Sequence, residues 1–128
     1  MKQLTLIIAA FYGLSGVILG ALGSHAFKSI LSAEKLVSFE TGVRYQMYHA
    51  IVLLILGFFF NFSSPIERWS SLCIMIGTFL FSFSIYFLTF TDHFNINLRF
   101  LGPITPVGGM FLIAGWLLLI VYFIKFRL

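Results

Sequence analysis

The stretch from Val43 to Phe60, VRYQMYHAIVLLILGFFF, sets an arginine, a glutamine and a histidine directly against an unbroken apolar run. That run, Ala50 to Phe60, has eleven residues, or about 16 Å of helix at 1.5 Å per residue. The hydrocarbon core of a bilayer is ~30 Å thick. A helix that crosses here must therefore extend back through His49, Tyr48, Tyr45 and Arg44, carrying its polar segment into the membrane. A short span in a thinned bilayer is the alternative. Ser32 or Ser38 can cap such a helix; from Ser32 it is too long to lie wholly in the membrane, so its first turns belong at the surface.

The rest of the chain explains why a membrane is the right solvent. Of 128 residues, 60% are hydrophobic and 9% charged, and seventeen are phenylalanine. A water-soluble domain of this size has too little polar surface to cover them. A second apolar run covers Leu4 to Gly23, a third Trp69 to Thr91, and a fourth starts at Pro106 and ends near Lys125. Each is long enough to cross as a helix. Lys2 ahead of the first run, with Ala21-Leu22-Gly23 behind it, also resembles a cleaved signal peptide. The run is long for that, and we read it as a retained helix. Trp69 and Tyr122 lie near span ends, where amphipathic rings favour the interface. The expected structure is an all-α integral membrane four-helix bundle, a single domain over residues 1–128. Its helices fall near residues 3–26, 38–62, 68–92 and 104–126, with both termini on the same side.

That topology sorts the polar residues. Ser24-His25, Glu40 to His49, Asp92-His93, Arg99 and the Thr105 to Gly109 turn share one end, whereas Lys2, Glu67, Arg68, Lys125 and Arg127 share the other. Lys28 and Lys35 join the first end, so basic residues divide four against four. Discounting Arg44 as embedded and paired tips positive-inside counting towards cytoplasmic termini. The formal charge of +4 suits anionic head groups, and the scatter of basic residues argues against nucleic acid.

The candidate polar site comprises His25, Glu40, Arg44, Tyr45, Gln46, Tyr48 and His49. Glu40 and Arg44 stand i,i+4 with the acid first, the favourable order for an ion pair on a helix. An arginine at depth in lipid is expected to pair or snorkel. Around the helix, Tyr48 falls near Arg44 and His49 falls opposite Glu40. Two readings follow: an interfacial anchor of ion pair and aromatic belt, or a buried polar pocket with His25 nearby. In the pocket reading, Glu40 and Arg44 are energetically coupled. Two histidines on facing helices can hold a haem or a metal, yet histidine also forms interhelical hydrogen bonds, and no spacing here is diagnostic of a metal. A lone Cys73 excludes an internal disulfide and a Cys-x-x-Cys pair. The expectation is no metal and no cofactor. Gly13, Gly16, Gly20 and Gly23 on the first span, with Gly108, Gly109 and Gly115 on the fourth, are candidates for close helix packing.

Four segments carry a family resemblance: GALGSHAF (20–27), ETGVRYQMYHAIVLL (40–54), FSFSIY (81–86) and ITPVGGMFLIAGW (104–116). In order and spacing the chain resembles the domain-of-unknown-function family 423, small multi-pass bacterial inner-membrane proteins with a human transmembrane relative. The resemblance implies a four-helix membrane protein of the bacterial plasma or inner membrane, and brings no reaction, substrate or cofactor. Its signature positions here are Gly20, Gly23, His25, Glu40, Tyr45, Gln46, His49, Pro106, Gly108, Gly109, Gly115 and Trp116. Ser24 stands where alanine is usual. Phe83 stands where glycine is expected, which questions a close helix approach at that point.

No Ser-His-Asp set, metal-ligand spacing or nucleotide loop occurs in the sequence, and no catalytic residue is assigned. The expected function is non-enzymatic: contact with membrane lipids, a membrane-protein partner or a second copy of the chain, stabilising the membrane or a complex. The alternative is binding or transport of a small ligand, such as a proton-coupled substrate, a quinone or haem, at the His25/Glu40/Arg44/His49 end.

Overall fold

Ser32 starts the decisive helix. Its backbone is extended, its hydroxyl accepts the Lys35 N–H at 3.3 Å, and Glu34 lies in the first turn, where a negative charge complements the helix dipole. In the computed structural model, which describes residues 1–125, this helix, α2, spans Ala33–Phe59. It therefore begins before the expected residue 38 and ends before 62. At its far end Phe60 is extended, and Phe62 takes a positive φ of 58° as the chain turns. At 27 residues the helix is ~40 Å long, so its first turns project beyond a 30 Å core or the helix tilts.

The first helix, α1, covers Lys2–Ser24, and a single 3₁₀ turn at Phe27–Ser29 leads to α2. Pro65 opens α3 (Pro65–Thr78) under a capping box. The Ser64 hydroxyl accepts the Glu67 N–H at 3.3 Å, and the Glu67 carboxylate accepts the Ser64 N–H at 3.0 Å. This reciprocal pair satisfies two otherwise orphaned donors, which is why the third span starts at 65 rather than 68. The span widens into a π-helical turn at Phe79–Phe83, resumes as α4 (Ser84–Thr89), and is followed by the short α5 (Thr91–Phe94). Asn95, in the left-handed region at φ 52°, closes α5. A 3₁₀ turn at Arg99–Leu101 precedes α6 (Ile104–Lys125). The expected helix end at 126 and Arg127 lie outside the described residues.

Among the described residues, four helical stretches are long and apolar enough to cross a membrane: Lys2–Ser24, Ala33–Phe59, Pro65–Thr89 and Arg99–Lys125. They pack antiparallel in sequence order. Along α1 and α2, Leu6 meets Gly57, Gly16 meets Met47, and Gly23 meets Phe39. Between the third and fourth spans, Ile74 meets Gly115, Leu112 meets Gly77, and Phe81 meets Gly108. Lys2, the end of α2, Glu67 and Tyr122 thus gather at one end: the Lys2 ammonium donates to the Phe58 carbonyl at 3.5 Å, and the Tyr122 hydroxyl to Glu67 at 3.3 Å.

Polarity is inverted relative to a soluble protein. Ile7, Leu14, Val17, Phe58, Ile113 and Ile124 face outward, while Thr5, Ser70, Ser71, Thr78 and Ser82 are wholly buried. Lipid is as apolar as leucine, so the helices associate through close backbone approach and polar contacts. Gly108 is the clearest case. A Cβ there would run into the Phe81 backbone nitrogen and lie 2.8 Å from its Cα. The close approach questioned at Phe83 therefore occurs two residues earlier, at the π turn. Phe83 itself is half-buried, with its ring 4.8 Å from Phe79 and 5.6 Å from Tyr86. Gly16, Gly23 and Gly115 also meet neighbours tightly, Gly20 meets Val43 at ordinary contact distance, Gly109 barely touches Phe81, and Gly13 faces open space. Gly42, Gly57 and Gly77 are tight contacts that the sequence reading did not single out.

Candidate functional site

The residues Phe39, Gly42, Gln46, His49, Ala50 and Leu53 are all buried, and their three- and four-residue spacing makes one stripe down α2. Gln46 sits at its centre with no exposed surface. Its amide nitrogen donates to the Tyr12 carbonyl and to the Ser15 hydroxyl, both at 2.8 Å, and its carbonyl accepts the Tyr86 hydroxyl at 2.8 Å. A backbone carbonyl only accepts, so the NH₂ side of the amide must face Tyr12, which fixes the orientation of the group. Ser15 passes its own proton to the Phe11 carbonyl at 2.7 Å. Tyr12 extends the network by donating to the Met75 carbonyl at 2.8 Å. One glutamine thereby joins α1, α2 and α4, and the first of these reaches α3.

Gly42, one turn before Gln46, makes room for Tyr86: a Cβ there would lie 2.7 Å from the tyrosine ring. Its carbonyl accepts the Ser82 hydroxyl at 2.8 Å from the π turn. His49, one turn after Gln46, is 5% exposed. The Trp116 indole N–H donates to His49 Nε2 at 3.2 Å, and His49 Nδ1 lies 2.8 Å from the Tyr45 carbonyl. An indole nitrogen only donates, so Nε2 is the acceptor and Nδ1 carries the proton given to Tyr45. Both ring nitrogens are used within the bundle. Further along, Ser84 and Thr105 share a hydrogen bond of 2.7 Å between α4 and α6.

The other candidate residues lie elsewhere. Glu40, Arg44, Tyr45 and Tyr48 are exposed on the outward side of α2. Glu40 and Arg44 form no ion pair within 4.0 Å among the described residues, correcting the expected pairing. Glu40 and Arg44 are both exposed, and among the described residues none holds their two long side chains together. The orientation lean discounted Arg44 as paired; without the pair, the basic residues stand at four against four. His25 is exposed where α1 ends. Gly23 packs on Phe39, and His49 lies ten residues further along α2, about 15 Å by helix rise. The expected pocket of Glu40, Arg44 and His49 with His25 nearby is therefore not assembled. The structure brings together Gln46, His49 and four partners that sequence reasoning left out of the site: Tyr12, Ser15, Tyr86 and Trp116. The available signal was the helical spacing of Gly42, Gln46 and His49, together with hydroxyl-bearing rings in otherwise apolar spans.

At the opposite end, Glu67 is another buried polar group, 5% exposed, receiving the Ser64 N–H and the Tyr122 hydroxyl. Its surroundings belong to the capping of α3. At the end that holds His25, the rings of Phe27, Phe39 and Phe90 meet edge to face at 4.9 to 5.2 Å between Phe27 and the other two, and Phe39 lies 5.0 Å from Tyr86. These rings fasten the connection between α1 and α2 over the hydrogen-bonded centre.

A family model described as "Protein of unknown function (DUF423)" matches residues 19–109, which include the whole α2 stripe and the π turn. A UPF0382 membrane protein of Staphylococcus haemolyticus is 37% identical over 124 residues, covering 97% of this chain and 98% of the relative. The UPF0382 inner membrane protein YgdD of Escherichia coli K12 is 36% identical over 127 residues, covering 98% and 93%. No solved structure matches the chain. With four helices able to span the bilayer and relatives matched from end to end, the chain belongs to the DUF423 family and is a multi-pass protein of the cell membrane.

Proposed function

We propose that the protein is non-enzymatic and acts through contacts of its outer surface with lipid or with a partner protein, stabilising the membrane or a larger complex. The carrying observation is the outward side of α2. Tyr48 is 56% exposed and, like Arg44, makes no hydrogen bond or ion pair among the described residues. Counting back from Phe59, Tyr48 lies eleven residues in, about 16 Å from that membrane edge, and Arg44 about 22 Å. Polar groups at such depth need neighbours other than acyl chains, or a route to the head groups. The inward polar groups of the same helix already have partners in Tyr12, Ser15, Tyr86 and Trp116. The outer face is thus where an association would gain most. We infer that both termini share one side of the membrane, a reading supported by the antiparallel order of the four spans.

The test is co-purification at native abundance after cross-linking in the membrane, comparing the natural protein with an Arg44→Ala, Tyr48→Ala double variant. The variant should fold normally and lose a specific lipid or protein companion. An unchanged set of companions would overturn the reading. Reporters fused to each terminus should respond in the same compartment; opposite responses would refute the shared side.

A further inference from the structure

Beyond α4 the chain builds a cavity of about 680 Å³ whose lining includes Lys35, Asp92, Asn95, Asn97 and Arg99. Beside it lies a second cavity of about 300 Å³, walled by Phe87, Phe90 and Phe94. Thr91, Ile96 and Leu98 line both, so the polar cavity adjoins the apolar one. Such a junction matches an amphiphile better than a small ion or a wholly apolar molecule.

Its charges narrow the choice. The Lys35 ammonium donates to the Leu88 carbonyl at 3.2 Å and pairs with Asp92 at 3.5 Å. That pair neutralises Asp92 and leaves the exposed guanidinium of Arg99 in excess. The Asn97 side-chain oxygen accepts the Arg99 backbone N–H at 3.2 Å, which leaves its NH₂ group as a donor. One net positive charge with amide donors complements one phosphodiester and its hydroxyls. The position agrees. Phe94, Ile96 and Phe100 are 61%, 52% and 67% exposed on the segment just past the third span. Apolar side chains so displayed at a span end belong at the boundary between head groups and acyl chains.

We propose that this end of the bundle holds one anionic phospholipid of the phosphatidylglycerol type. Its phosphate sits against Arg99 and Lys35, its head-group hydroxyls reach the Asn95 and Asn97 amides, and an acyl chain lies along Phe87, Phe90 and Phe94. The proposal rests on the lipid-contact reading above and names the lipid and its place.

The purified protein in mild detergent is titrated with phosphatidylglycerol, phosphatidylcholine and soluble glycerol 3-phosphate, and followed by native mass spectrometry and thermal unfolding. Phosphatidylglycerol should be retained and raise Tm, with phosphatidylcholine binding about tenfold more weakly or less. Glycerol 3-phosphate, lacking the acyl chain, should bind far more weakly still. Arg99→Gln should weaken phosphatidylglycerol binding about tenfold, as expected for loss of one charge-assisted contact, without moving the lipid-free Tm. Phe94→Ser should also weaken it. Equal binding of the two lipids, an unaffected Arg99→Gln variant, or glycerol 3-phosphate binding as well as the lipid would each overturn the site. If these fail while companions of the Arg44 and Tyr48 face persist, only the site is wrong. If those companions are absent as well, the broader reading falls with it.

Discussion

Between Phe39 and Ala50 a single helix presents two unlike faces. Inward, Gln46 and His49 are buried and every hydrogen-bonding atom of their side chains has a partner on another helix or on the preceding turn. Outward, Glu40, Arg44 and Tyr48 are exposed and make no such contacts among the described residues. Charge is found where the side chain is long enough to reach the head groups, and neutral hydrogen-bonding groups where neighbouring helices surround them. The difference shows how a helix with only eleven continuous apolar residues crosses a membrane. Its neutral polar groups are satisfied by protein at depth, so they cost little there, and its ions are left free to snorkel.

Removing the inward hub should have the largest effect. Gln46→Leu strips Tyr86 of its acceptor and leaves the Tyr12 carbonyl and Ser15 hydroxyl without their donor. The expected loss of folding stability is about 2–3 kcal/mol, from buried groups left unpaired, measured by reversible unfolding in mixed micelles. A loss below 0.5 kcal/mol would mean that the hub is not what joins these helices. Gly42→Ala should follow, at about 1–2 kcal/mol, because the Tyr86 ring at 2.7 Å from the new Cβ is itself fixed by Gln46. Combined with Tyr86→Phe, its cost should change by at least ~0.5 kcal/mol, a coupling expected for touching residues; strict additivity would separate the two.

Trp116→Phe keeps an aromatic side chain, though a smaller one, and removes the indole N–H that His49 accepts, so a smaller loss of about 0.6–1 kcal/mol is expected, in line with single interhelical hydrogen bonds in membranes. The tautomer assignment can be read separately: ¹⁵N chemical shifts of the His49 ring should place its proton on Nδ1, and a proton on Nε2 would contradict the Trp116 contact. The outward face should yield the smallest effects. Arg44→Leu, Glu40→Gln and the double variant should each stay within ~0.5 kcal/mol of the natural protein and add without coupling. A coupling above 1 kcal/mol would restore the ion pair and erase the contrast between the faces.

Much of this molecule could be read along the chain. The number of spans follows from apolar runs set against the thickness of a bilayer, a one-dimensional comparison. The need for α2 to carry polar residues into the membrane follows likewise from counting Ala50 to Phe60. The ends were less legible. Ser64 and Glu67 form a recognisable capping box that moves the start of the third span to Pro65, and Ser32 rather than Ser38 caps α2. The π turn at Phe79–Phe83 left no mark in local composition, because it accompanies the approach of Gly108 from α6 to Phe81.

The candidate site divides in the same way. Sequence alone determined that Glu40, Arg44, Gln46 and His49 ride one helix, and that His49 lies opposite Glu40 around it, since helical periodicity needs no neighbours. Which side faces protein was decided by tertiary structure alone. Gln46 is a hub because Tyr12, Ser15 and Tyr86, which come from 31 to 40 residues away in the chain, meet at its amide. A favourable i,i+4 spacing for Glu40 and Arg44 states only that a pair is reachable. Whether it forms depends on neighbours that hold both side chains in place, and on the outward face of α2 no described residue does so.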